Sequence, residues 1–217
     1  MIAIMEKQIA VAKAILFVLC LLPAAYLGLG FWQDTLDADP VDAFTRGLGD
    51  WALYLLLITL TVTPLRRLSG QSWLLRLRRM LGLFSFSYAC LHLTAYLWLD
   101  QSFRWGDIGA DILKRPFITV GMLTFVLLVP LAATSSTAMV RRLGGQRWQQ
   151  LHRLIYPAAM LAVLHHTWMT KADASQPLIF GLILAVMLAL RLWWWFADAR
   201  KPLVDQRRRI IPIQFRR

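Results

Sequence analysis

Apolar residues run along this chain in six blocks, near residues 9 to 30, 49 to 65, 80 to 99, 117 to 135, 150 to 169 and 177 to 197, separated by charged or turn-rich breaks. Each block approaches the ~20 residues that an α-helix needs to cross a hydrocarbon core of roughly 30 Å. In lipid a backbone must satisfy its own hydrogen bonds, so such blocks read as helices. The pattern predicts an all-α, polytopic membrane helix bundle with about six transmembrane helices. The second block is the shortest, because Pro64 and the Arg66 and Arg67 pair stop it, while Gly47 to Asp50 can add a turn at its start. The first block carries Lys7 and Lys13 early and Ala24 and Ala25 late, as a signal peptide would. It is too long for a signal-peptide core and is expected to be retained as a span.

Composition agrees with lipid as the main solvent. Hydrophobic residues make up 58% of the 217 and charged residues 17%, against about 25% charged in a soluble domain. The net charge of +12 raises nucleic acid as a partner. The basic residues lie between apolar blocks rather than along one soluble face, so the expectation is no nucleic acid, only membrane lipid and loops obeying the positive-inside rule. Arg66, Arg67, Arg76, Arg78 and Arg79 crowd one loop, Arg141, Arg142 and Arg147 another, and seven basic residues lie from Arg200 to Arg217. The alternate loops carry Asp34, Asp37, Asp39, Asp42 and Asp50, then Asp100, Asp107 and Asp111, then Asp173, against Arg46, Arg104, Lys114, Arg115 and Lys171. Both termini are therefore expected on the cytoplasmic side, with residues 1–199 as one membrane domain and 200–217 as a basic cytoplasmic tail. Trp32, Trp51, Trp98, Trp105 and Trp168 fall near one boundary and Trp73, Trp148 and Trp193 to Trp195 near the other, forming two aromatic belts.

Most other signals are silent. Cys20 and Cys90 lie within apolar blocks without CxxC spacing and are expected as free thiols. Gly28-Leu-Gly30 and Gly47-Leu-Gly49 lack the strand context of a nucleotide fingerprint and receive no function.

The histidines carry the chemistry. All four fall in two predicted helices, His92 in the third and His152, His165 and His166 in the fifth. An ionisable group inside a bilayer is costly and points to function, and imidazole is a common axial ligand of haem iron. At 1.5 Å per residue His92 lies ~18 Å from the start of its helix and His165 ~22 Å from the start of its own, so the two can share one iron. His152 lies ~20 Å from His165 and marks a second, cytoplasmic-side position. Thirteen residues before His92 stands Arg79, so the partner of His152 stays open. On an uninterrupted helix His166 is within about 40° of His152 and His165 about 140° away, which makes His166 the rival to His165. The haem-free alternative is that these histidines bridge helices or relay protons in an anchor or transporter. Arg153 and Arg191 either meet haem propionates or snorkel to headgroups, and snorkelling is preferred.

Several segments extend this reading: Ala38-Asp-Pro-Val41, Leu91-His-Leu-Thr-Ala-Tyr96, Arg115-Pro-Phe-Ile-Thr-Val-Gly121, and Thr134-Ser-Ser-Thr-Ala-Met139 running on to Trp148-Gln-Gln-Leu-His152. In these the chain resembles the ferric reductase-like transmembrane family, and within it the haem-binding membrane subunits of methionine sulfoxide reductase systems. The likeness runs from the first helix to Gln176-Pro177-Leu178. It implies haem b as cofactor, with His92, His152 and His165 as axial ligands and a bacterial inner membrane as location. It also implies electrons taken from the quinone pool or a flavin reductase and passed to a periplasmic molybdopterin methionine sulfoxide reductase that repairs envelope proteins. FMN is a further cofactor suggested by the resemblance, and the arginine-rich loop from Arg66 to Arg79 offers compatible charge without an assigned site. Single-chain ferric reductases and NADPH oxidases append a flavin and nicotinamide domain, and this chain is expected instead to be a non-catalytic relay in a larger oxidoreductase complex. A cytochrome b subunit of a different reductase or of a metal reductase is the alternative that keeps the haem.

Overall fold

The computed structural model describes residues 2–170 and 175–200, so the predicted tail from 201 onward, and Lys171 and Asp173 of the loop count, lie outside the described residues. The described chain is helical throughout its ordered elements, in the order α1 (Ile2–Trp32), α2 (Pro40–Ser69), α3 (Leu75–Ala95), α4 (Trp105–Lys114), α5 (Pro116–Ala133), α6 (Thr137–Leu143), α7 (Gly145–His152), α8 (Ile155–Met169) and α9 (Ser175–Ala199). Among the described residues, five stretches are long and apolar enough to cross a membrane: Glu6–Trp32, Pro40–Ser69, Ser72–Asp100, Pro116–Ala133 and Ser175–Ala199. This is a multi-pass membrane protein.

The fifth predicted span, 150 to 169, is where the pattern simplified the structure. Arg153 and Leu154 turn between α7 and α8, so the continuous helix is the 15 residues of α8, about 22 Å long. The second span departs in the other direction. Its block predicted 49 to 65, yet α2 has 30 residues. At its start Asp39 accepts the Asp42 N–H at 3.1 Å and Pro40 fills the first helical position, where a missing N–H costs nothing. At its end the helix runs through Pro64 to Gly70, which closes it at φ 71°. Pro64 removes the N–H that would bond the Leu60 carbonyl, and Arg191 of α9 supplies a donor there at 2.6 Å. The predicted stop fails because another helix repairs the gap.

α2 is the central element. One of its faces, Leu53, Leu56, Leu57 and Leu60, packs with Leu128 and Leu131 of α5, Ile155, Ala158, Ala159 and Val163 of α8 and Leu184 of α9. The other, Leu48, Leu55 and Val62, packs with Cys20 and Leu27 of α1 and Leu81, Tyr88 and Ala95 of α3. α2 pairs most extensively with α3, and α5 with α8. Without a hydrophobic driving force in lipid, helices associate through small residues and hydrogen bonds. Ala158 and Ala159 have no exposed surface, and Ser85 of α3 donates to the Ala52 carbonyl of α2 at 2.8 Å.

Tyr88, 2% exposed, locks α1 to α3: its hydroxyl donates to the Cys20 carbonyl at 2.7 Å and accepts the Ala24 N–H at 2.9 Å. These groups lie four residues apart on α1, beside Pro23, so the hydroxyl sits within the helix ladder. Exposed Phe17, Leu22, Leu182 and Val186 on α1 and α9 face outward, as lipid contact requires. The connection from Asp100 to Pro116, read from sequence as a polar loop, holds α4, anchored by buried Ile108 and by Tyr96, whose hydroxyl reaches Asp111 at 3.3 Å.

Candidate functional site

The pairs α2 with α3 and α5 with α8 each bring one imidazole to the middle of the bundle. His92 lies late in α3 and His165 late in α8, and their ring centroids are 6.2 Å apart with the planes at 75°. The two histidines matched for depth by residue spacing are thus brought together.

Each ring is held from behind. Nδ1 of His92 donates to the Thr45 carbonyl at 2.8 Å, and Nδ1 of His165 to the Phe117 carbonyl at 2.7 Å. A carbonyl only accepts, so the proton of each neutral imidazole lies on Nδ1 and the lone pair on Nε2. The His92 bond is the second rung of a register: residues 85 and 92 of α3 reach the carbonyls of residues 52 and 45 of α2, one heptad apart along antiparallel helices. Among the described residues neither Nε2 has a hydrogen-bond partner. Metal to imidazole bonds of about 2 Å put two ligating nitrogens ~4 Å apart and their ring centres ~6 Å apart. The observed separation fits a single iron between the rings. No three His, Cys, Asp or Glu side chains converge among the described residues, and an iron held by this pair would take its other ligands from a group such as a porphyrin.

The other two histidines are placed differently. His166 turns from the pair, with Nδ1 3.3 Å from Asp50 Oδ1 and its ring 5.3 Å from that of Phe180, while its Nε2 is buried without a hydrogen-bond partner among the described residues. The angular argument for His166 assumed one continuous helix from His152, and the turn at Arg153 and Leu154 breaks that phase. His152 closes α7, stacks on Trp148 at 3.9 Å, and bonds through Nε2 to Thr134 Oγ1 at 3.0 Å. No second imidazole stands opposite it.

The arginines are also distributed by the fold. Arg191 serves the Leu60 carbonyl and lies over the Tyr156 ring at 5.4 Å, so it neither snorkels freely nor approaches His92 and His165. With exposed Arg153 it lines a cavity of about 500 Å³, together with Leu188, Leu192 and Trp195, at the end of α8 away from the paired imidazoles. The arginine-rich segment predicted as a loop lies mostly within helix ends: Arg67, in the last turn of α2, pairs with Asp198 and covers Trp194, and Arg76, in the first turn of α3, pairs with Glu6, both pairs at 2.6 Å.

What sequence reasoning missed here is mostly backbone. The Thr45 and Phe117 carbonyls carry no residue-type signal. Asp50 was counted as loop charge, and α2 begins ten residues earlier, which puts this acid inside the bundle beside His166.

The chain matches known proteins over most of its length. Residues 48–163 match the family described as ferric reductase like transmembrane component, a segment that holds α3 and α5 whole and most of α2 and α8. The chain is 54% identical to the "protein-methionine-sulfoxide reductase heme-binding subunit MsrQ" of Herminiimonas arsenicoxydans, over 86% of this chain and 87% of that protein. It is likewise 54% identical to the proteins of that name from Azospira oryzae, over 86% and 80%, and from Rhodospirillum rubrum, over 88% and 91%. With His92 inside the matched segment, His165 two residues past its end, and the identity spread over nearly whole chains, this protein belongs to the ferric reductase-like transmembrane family, among its MsrQ subunits.

Proposed function

We propose that this chain is a membrane electron-transfer subunit that holds one haem b between His92 and His165 and delivers electrons to a methionine sulfoxide reductase. The observation that carries the reading is the pair of imidazoles 6.2 Å apart, each anchored by Nδ1 to a carbonyl of a neighbouring helix. When bound, haem supplies one-electron chemistry at iron. The chain's own contribution is to present two lone pairs and fix the tautomers. An iron held by both His92 and His165 would have no position left for a substrate, which suits a relay rather than a catalyst. The name of these relatives, heme-binding subunit of protein-methionine-sulfoxide reductase, points the same way.

The finer parts rest on the resemblance and the charge pattern. They are a periplasmic molybdopterin partner, a quinone or flavin reductase as donor, FMN as a further cofactor, both termini inside, and residues 1–199 as the haem domain. His152 is a ligand by resemblance alone, and its Nε2 bond to Thr134 would have to break for it to serve. One haem per chain is therefore the reading we adopt.

The test is a reduced-minus-oxidised visible spectrum of the purified protein with haem stoichiometry. Low-spin b-type bands near one haem per chain, lost in His92→Ala and in His165→Ala, are expected. A colourless protein of normal yield and size would overturn the reading. Reduction of a co-expressed periplasmic molybdopterin partner by membranes containing this chain tests the partner; intact haem without transfer would reassign the protein to another reductase.

A further inference from the structure

The geometry points to Gly49 and Gly121 as positioning residues that set the planes of the two ligand imidazoles, an inference that rests on the haem reading above. In an α-helix the carbonyl of residue i bonds the N–H of residue i+4, so the ladder partner of Thr45 is Gly49 and that of Phe117 is Gly121. A carbonyl has a second lone pair, and in both cases the imidazole takes it. The residue that supplies the ladder N–H then stands beside the incoming ring. A Cβ built on Gly49 would lie 3.0 Å from both Nδ1 and Cε1 of His92, and one on Gly121 would lie 2.8 Å from Cε1 and 2.9 Å from Nδ1 of His165. The second case is closer than real Cβ contacts come, and the first is at that limit.

The same device occurs twice. A carbonyl, then a glycine one helix turn later, receives a histidine 47 residues after the carbonyl in one pair and 48 in the other. Gly49 had no role as a nucleotide motif, and its role here is to be absent as a side chain. Both rings can then bring their Nδ1–Cε1 edges close against the supporting helices, with their planes at 75° to each other. Near-perpendicular axial imidazoles split the iron d orbitals weakly, so the ferric low-spin haem should give a strongly anisotropic EPR signal. An added methyl must rotate the ring, break the Nδ1 bond, or both.

Two variants and a control test this. Gly49→Ala and Gly121→Ala are expected to move the largest g value of the ferric signal and to loosen haem by ~10-fold or more, the order seen when a group orienting a metal-bound histidine is disturbed. Gly82→Ala, on α3 but with its nearest neighbour Thr59 Cγ2 at 3.7 Å, should leave both unchanged. Wild-type EPR and haem retention in both variants would overturn the positioning role. So would collapse of the helical bundle itself in both, seen by circular dichroism, since that would make the glycines packing residues only. A wild-type protein without low-spin haem would instead sink the haem reading, and the wild-type spectrum separates the two failures.

Discussion

The Arg191 guanidinium of α9 donates to the Leu60 carbonyl of α2 at 2.6 Å, the carbonyl whose ladder partner Pro64 removes. A cation on a lipid-crossing helix usually advertises a ligand or a headgroup. Here it fills a gap made by another residue four positions along a different helix. Leaving that carbonyl unpaired costs about 1–3 kcal/mol, so Arg191→Leu should lower the apparent Tm in detergent. In a Pro64→Ala background the restored N–H takes over the carbonyl, and the loss caused by Arg191→Leu should shrink. Equal losses in both backgrounds would refute this coupling.

His165 and His166 are neighbours with opposite orientations, one toward His92 and the other toward Asp50. Haem content should therefore vanish in His165→Ala and persist in His166→Ala, measured as pyridine haemochrome per mole of protein. The reverse result would exchange their roles.

Tyr88 should be the tyrosine whose hydroxyl matters most. Tyr88→Phe removes the bridge to Cys20 and Ala24, at about 1–3 kcal/mol for a buried group left unsatisfied. Tyr54, which packs its ring against Trp51 and Phe180 at 5.4 and 5.3 Å, should tolerate the same change without a shift in Tm. A thermal melt of the two variants side by side decides the matter.

The short ion pair between Arg76 and Glu6 should contribute little despite its 2.6 Å separation. Its side chains are 46% and 53% exposed, and such pairs are worth about 0–1 kcal/mol. Glu6→Gln is expected to leave the Tm within a degree or two of wild type, on the order of what so small a free energy produces. A large drop would mean that α1 depends on this contact more than on Tyr88.

The sequence by itself determined that this chain lives in lipid, where most of its helices run, and which two histidines share a depth. Those properties follow from local rules: run length against bilayer thickness, and a fixed rise per residue. Only the tertiary structure decided what no local rule contains. Pro64 reads as a helix stop until Arg191 arrives from α9, and which of His165 and His166 faces His92 depends on a two-residue turn that resets the phase of α8. The groups that aim the imidazoles, the carbonyls of Thr45 and Phe117, are the same in every amino acid. Composition is blind to a backbone atom, and only the packing of helices against one another gives it an address.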